Sequence, residues 1–193
     1  AISALDAGQG WLRTLSRWAA WAGGAGMLAA SLLIFGEIVF RNFDQTTYVG
    51  SGEISGYVFA VAITWGLSYC LHERAHVRID ILYQRLSPGL RAWLDLLAVA
   101  AMLVFAVVLA TRAQIALEQS LRFNSASVTP LRVPLWIPQT AWVAGLIFFA
   151  VNCAFTLLHG LALMALGRRD RAATLYPVAA VADSAEARPA GTD

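Results

Sequence analysis

The stretch from Trp93 to Thr111 reads WLDLLAVAAMLVFAVVLAT, an apolar run with one charge, Asp95, and no glycine or proline. At 1.5 Å of helical rise per residue it covers roughly 30 Å, the thickness of a bilayer's hydrocarbon core. A backbone in lipid must satisfy its own N–H and C=O groups, so such a run becomes a helix. Three further runs share its character: about Trp18 to Phe40, about Ile54 to Leu71 and about Leu135 to Leu158. The reading is an all-α integral membrane protein with four transmembrane helices and short interfacial amphipathic helices. A membrane domain at 18–166 is expected between an interfacial segment at 1–17 and a polar tail at 167–193.

Composition agrees. Of 193 residues, 59% are apolar and 13% charged, where soluble domains run near 45–50% and about 25%. Mean hydropathy is +0.62. A soluble domain of this size has no interior large enough for that apolar surface. The net charge of +2 is too small to argue for nucleic acid. Cys70 and Cys153 lie inside apolar runs at a spacing that matches no metal motif or disulfide framework, and they read as small buried hydrophobes. The first run is longer than the apolar part of a signal peptide. The Glu37-Ile-Val-Phe-Arg41 that follows has no small-residue cleavage site, so a retained span is expected.

Arginine, the chain's sole basic residue type besides histidine, sets the orientation. Arg13, Arg17, Arg74, Arg78, Arg85, Arg91, Arg168, Arg169 and Arg171 fall on one side of the four spans; Arg41, Arg112, Arg122 and Arg132 fall on the other. Basic residues concentrate at the cytoplasmic face, so both termini are expected there. Residues 3–17 carry Trp11, Leu12, Leu15 and Trp18 on one helical face, which suits an interfacial helix. The segment His76 to Leu86 is amphipathic too and stops at Pro88-Gly89. Pro130, Pro134 and Pro138 make the entry to the last span rigid and extended, or kinked.

Charges inside a membrane are functional suspects because they are costly there. Glu37 is the one acid well inside an apolar run, near the run's end, and Arg41 stands one turn on, where the two can pair. Asp95 opens the third span, where a helix N-terminus favours an anion. No charge sits at a midplane, so the chain alone makes a poor carrier. Each of three spans shows a small or polar stripe: Gly23, Gly26, Ala30, Glu37 and Arg41; Glu53, Tyr57, Ala60, Thr64 and Ser68; Gly145, Asn152, Thr156 and His159. Such stripes let helices approach closely. They pack within the chain or dock a larger membrane subunit.

His76 and Asp80, four apart, share a helix face if their segment is helical; their contact would shape the loop, and a metal would need more ligands. No nucleophile elbow, Cys-x-x-Cys, P-loop or His-Glu-x-x-His is present, so no catalytic, cofactor or metal residue is assigned and no enzyme activity is expected. One alternative is a haem-b membrane anchor of an oxidoreductase, with His72 and His159 as axial ligands.

The residues from Arg41 to Arg91 form an ordered set: Arg41, Gly52-Glu53, Tyr57, Phe59, Thr64-Trp65-Gly66-Leu67-Ser68-Tyr69, His76-Val-Arg-Ile-Asp80, Leu82, Leu86, Pro88 and Arg91, with Pro134-Leu-Trp136 later. This set resembles the small, DctQ-type membrane subunit of tripartite ATP-independent periplasmic (TRAP) transporters, over roughly residues 15–165. The resemblance implies a non-catalytic scaffold of a sodium-coupled importer of organic acids in a bacterial inner membrane. Its partners would be a large membrane subunit, a periplasmic substrate-binding protein and membrane lipid. Arg41, Glu53, His76 and Asp80 match the family's recurrent polar positions, and the resemblance gives them helix–loop bracing or subunit contact.

Overall fold

A computed structural model of the chain describes residues 2–43, 50–73 and 88–166. It contains four helices: α1 Ile2–Phe43, α2 Ser51–His72, α3 Pro88–Arg122 and α4 Trp136–Ala165. All four are long and apolar enough to cross a membrane. The strand-like feature among the described residues is an isolated bridge between Ala126 and Pro134.

The apolar runs lie inside these helices, but two helices outrun them. Residues 3–17 are continuous with the first span, and α1, with 42 residues, is about 63 Å long. Nothing between Ile2 and Phe43 forces a break, and Thr14 and Ser31 return their hydroxyls to the carbonyls of Gly10 and Met27, both at 3.0 Å. Helix α3 continues past Thr111 to Arg122, because residues 112–122 are rich in the strong helix formers Ala, Leu, Gln, Glu and Arg. The proline-containing connection at 123–135 is a closed loop. Ser127 N donates to Val133 O at 2.9 Å and Leu135 N to Ser125 O at 3.0 Å. Asn124 and Arg132 take positive φ (46° and 45°) at its two bends.

The helices stand in a row, except that the start of α1 also meets α4. Helix α1 packs along α2, α2 along α4, and α4 along α3, while neither α1 nor α2 packs along α3. The share of buried residues rises from 6% on the first span to 39% on the fourth, so α4 is the central element. Helices α2 and α4 run in the same direction, since Trp65 meets Ala141 and, further along both helices, His72 meets Asn152.

Each seam has its own chemistry. Between α1 and α2, Gly23 faces Ala62 and Gly26 faces Val58, so closely that an added Cβ would sit 3.3 and 3.2 Å from them. Between α2 and α4 the seam is polar. The Trp65 indole N–H donates to Ala141 O at 3.0 Å and its ring stacks on Phe148 at 5.5 Å. Asn152 Oδ1 lies 2.7 Å from His72 Nε2, and Asn152 Nδ2 donates to Phe148 O at 2.8 Å and, at a long 3.5 Å, to Ser68 Oγ. Gly145 is required there, because a Cβ would lie 2.5 Å from Thr64 Oγ1 and 2.7 Å from Trp65 Cδ1. Between α3 and α4 the seam is apolar: Ala110 and Ala113 on Val143 and Leu146, then Ala106 on Phe149 and Cys153. The polar stripes of α2 and α4 therefore meet each other, and the glycines of α1 lie on the next face of α2. The outward faces carry Leu28, Leu32 and Phe35 on α1 and Leu97, Val104 and Phe105 on α3, which lipid solvates without penalty.

Candidate subunit-contact site

The end opposite the start of α1 and the end of α4 holds Glu37, Arg41 and Glu53. Helix α2 begins there at Ser51, after Gly50 in the left-handed region (φ 72°), and no side chain of its own caps it. The cap comes from α1: Glu37 Oε2 accepts the Ser51 N–H at 2.9 Å. A carboxylate at a helix N-terminus satisfies an orphan donor and meets the positive end of the helix dipole. Gly50 is required by its φ, and the Leu131 side chain packs against it.

Glu53, one turn into α2, joins the helix to the loop between α3 and α4. The Tyr57 hydroxyl donates to Glu53 Oε1 at 2.6 Å, and the Thr129 hydroxyl donates to Oε2. With Thr129 Oγ1 committed as donor, the Ser127 hydroxyl 2.6 Å away donates to it, while Ser127 Oγ accepts the Thr129 N–H at 3.1 Å. Proton donation thus runs Ser127 to Thr129 to Glu53, and every member is satisfied, which makes the network rigid. An open cleft lies beside it, lined by Gly52, Tyr57, Ser127 and Val128.

Of the four sequence-derived candidates, Glu53 lies at the centre of this network. Arg41 is on the last turn of α1 at the same end, exposed and without an ion pair among the described residues. The expected Glu37–Arg41 pair does not form; the carboxylate meets the start of α2 instead, because the bared helix N-terminus lies alongside α1. His76 and Asp80 lie outside the described residues. Sequence spacing missed Thr129 and Ser127 as partners of Glu53. The one signal they carry is their two-residue spacing just before Pro130, which favours a closed turn.

At the other end, Arg13 on α1 and Glu73 beyond α2 pair at 3.0 Å. Asp6 Oδ1 lies 3.1 Å from Nε2 of the fully buried His159. These contacts bear on the haem alternative. His72 Nε2 is taken by Asn152 across the α2–α4 seam, and His159 faces Asp6. The two histidines do not fit a haem. Among the described residues no group of three His, Cys, Asp or Glu could hold a metal ion, and the free thiols of Cys70 and Cys153 are half-buried and buried.

The model of one family, "Tripartite ATP-independent periplasmic transporters, DctQ component", matches residues 30–163, from the last third of α1 almost to the end of α4. No curated protein and no solved structure matches the chain. With that match covering all of α2, α3 and the Glu53 network, the chain belongs to the DctQ family and is the small membrane subunit of a TRAP transporter.

Proposed function

We propose that this subunit is the fixed, non-catalytic scaffold of a sodium-coupled, binding-protein-dependent importer of organic acids. It sits in a bacterial inner membrane with both termini cytoplasmic and is bound to the large permease subunit that carries substrate and sodium. The observation behind this reading is where the charges lie. Glu37 and Glu53 tie α1, α2 and the 123–135 loop together at one end. Asp6, Arg13 and Glu73 tie α1 to α4 and α2 at the other. The middle of every described span lacks acids and arginines. Acids gathered at helix ends are badly placed to move an ion at depth.

The row supports the scaffold role. A moving transport unit needs a partner that does not tilt, and a broad row with apolar outer faces and end tryptophans such as Trp18, Trp93 and Trp136 anchors in depth. Arg41, exposed at the same end as the Glu53 network, is a contact for the large subunit; Glu53 holds the adjoining loop in shape. His76 and Asp80 brace the loop between α2 and α3.

Co-expression with the large subunit and the binding protein tests this. The chain should co-purify with the large subunit, and proteoliposomes holding both should accumulate an organic acid on a sodium gradient when the binding protein is added. Liposomes holding this chain alone should accumulate nothing. Arg41→Ala and Glu53→Ala should lower complex yield or uptake. Solute accumulation by the chain alone, or wild-type yield and uptake in both variants, overturns the respective claim.

A further inference from the structure

Helix α3 closes one flank of the row and packs along α4 alone among the described helices. Its outward stripe changes character partway. Leu97, Val104 and Val108 are exposed and apolar. From Arg112 onward the exposed positions are mainly polar: Arg112, Gln114, Glu118, Gln119 and Arg122. At 100° per residue these five fall on an arc centred opposite Ala106 and Ala113, which face α4. None of their side chains has a hydrogen bond or ion pair among the described residues.

By sequence alone this stretch lies beyond the lipid, after an apolar run that ends at Thr111. The packing register places it deeper. Ala113 packs on Val143 and Leu146, and Gly145 between them meets Thr64 and Trp65 of α2. Arg112 therefore stands level with Thr64. That residue is about 20 Å from the start of α2 at Ser51 and about 12 Å from its end at His72. From there the polar stretch runs back toward the start of α2. At the same depths α2 exposes Phe59 and Ile63, and α4 exposes Ile137. Lipid that solvates those side chains holds an arginine and a glutamate only at a large cost. A polar partner removes that cost. The opposite flank, on α1, exposes Leu28, Leu32 and Phe35 and needs no such cover.

Charge separates the possible occupants. Lipid phosphates suit Arg112 and Arg122 but are repelled by Glu118 between them. A second copy inserted the same way round, about an axis along the membrane normal, brings Arg112 level with Arg112 and Glu118 level with Glu118, like against like. A different protein sets its own groups against each. We propose that residues 112–122 of α3 form a membrane-embedded dock for the large permease subunit, which presents a carboxylate to Arg112 and hydrogen-bond donors to Glu118. The inference rests on the scaffold reading, and the dock is separate from the contact at Arg41 on α1.

The test uses the complex made by co-expressing this chain, the large subunit and the binding protein. The photocrosslinker p-benzoylphenylalanine is placed at Ile115, exposed within the polar arc, or at Leu32, on the outward face of α1. Irradiation is expected to join Ile115 to the large subunit and Leu32 to lipid. Arg112→Leu and Glu118→Leu are each expected to lower recovery of the complex about tenfold, as removing one partner of a buried charge pair does, with membrane insertion of the chain unchanged. Crosslinks from Ile115 to lipid only or to a second copy only, equal crosslinking of the large subunit from Leu32, or wild-type recovery in both variants overturns the proposal. If the large subunit does not co-purify with the wild-type chain, the scaffold reading fails and this inference with it. If it co-purifies and Ile115 does not reach it, the inference alone fails.

Discussion

The two seams of α2 are built on opposite plans. Toward α1 it offers Val58 and Ala62 to two glycines, and the seam is close contact without a side-chain hydrogen bond at those positions. Toward α4 it offers Thr64, Trp65, Ser68 and His72 to Gly145, Ala141, Phe148 and Asn152, and the seam is hydrogen-bonded along its length. In lipid no hydrophobic force drives helices together, and each interhelical hydrogen bond contributes only about 0.6 kcal/mol. The polar seam therefore differs less in strength than in definition. Indole to carbonyl and amide to imidazole fix one register between α2 and α4, while the glycine seam fixes only a distance.

Substitutions separate these properties. The largest effect is expected at Gly145. Gly145→Leu puts a side chain where even a Cβ overlaps Thr64 and Trp65, and the loss should reach about 3 kcal/mol, the upper end of ordinary overpacking costs. Unfolding by steric trapping in bicelles reads it. Asn152→Leu comes next. It strands His72 and Ser68 in a buried seam, at about 1–3 kcal/mol, and a lowered melting temperature with α1–α2 crosslinking unchanged would locate the damage. Gly26→Ala should stay within about 0.5 kcal/mol of zero, because the helix-propensity gain of close to 1 kcal/mol offsets a Cβ that meets Val58 Cγ1 at 3.2 Å. The smallest effect belongs to Glu53→Gln, whose amide still takes the Tyr57 hydroxyl and can donate to Thr129 if the hydroxyl chain reverses. Trypsin cleavage at the exposed Arg132 should stay slow in Glu53→Gln and become faster in Glu53→Ala.

Why some of this was legible and some not follows from the range of the interactions. The spans come from local composition, and residues 93–111 or 135–158 could hardly be anything else in a membrane. Helix ends were harder, because α3 continues on propensity for eleven residues after its hydropathy falls. The small-polar stripes were visible on each helix, but a stripe does not name its mate, and only the structure pairs that of α2 with that of α4. Glu37 shows the limit of spacing rules. Its neighbour four residues on is a suitable partner, yet a helix N-terminus fourteen residues away takes the carboxylate. Glu53 is farther still from Thr129, 76 positions along the chain. The family resemblance reached both Glu53 and Arg41 without any of this geometry, while His76 and Asp80 lie outside the described residues.

Helix α4 alone meets each of the other three helices. A displacement of α4 would loosen its seams with all three at once, whereas α3 could shift and disturb a single neighbour.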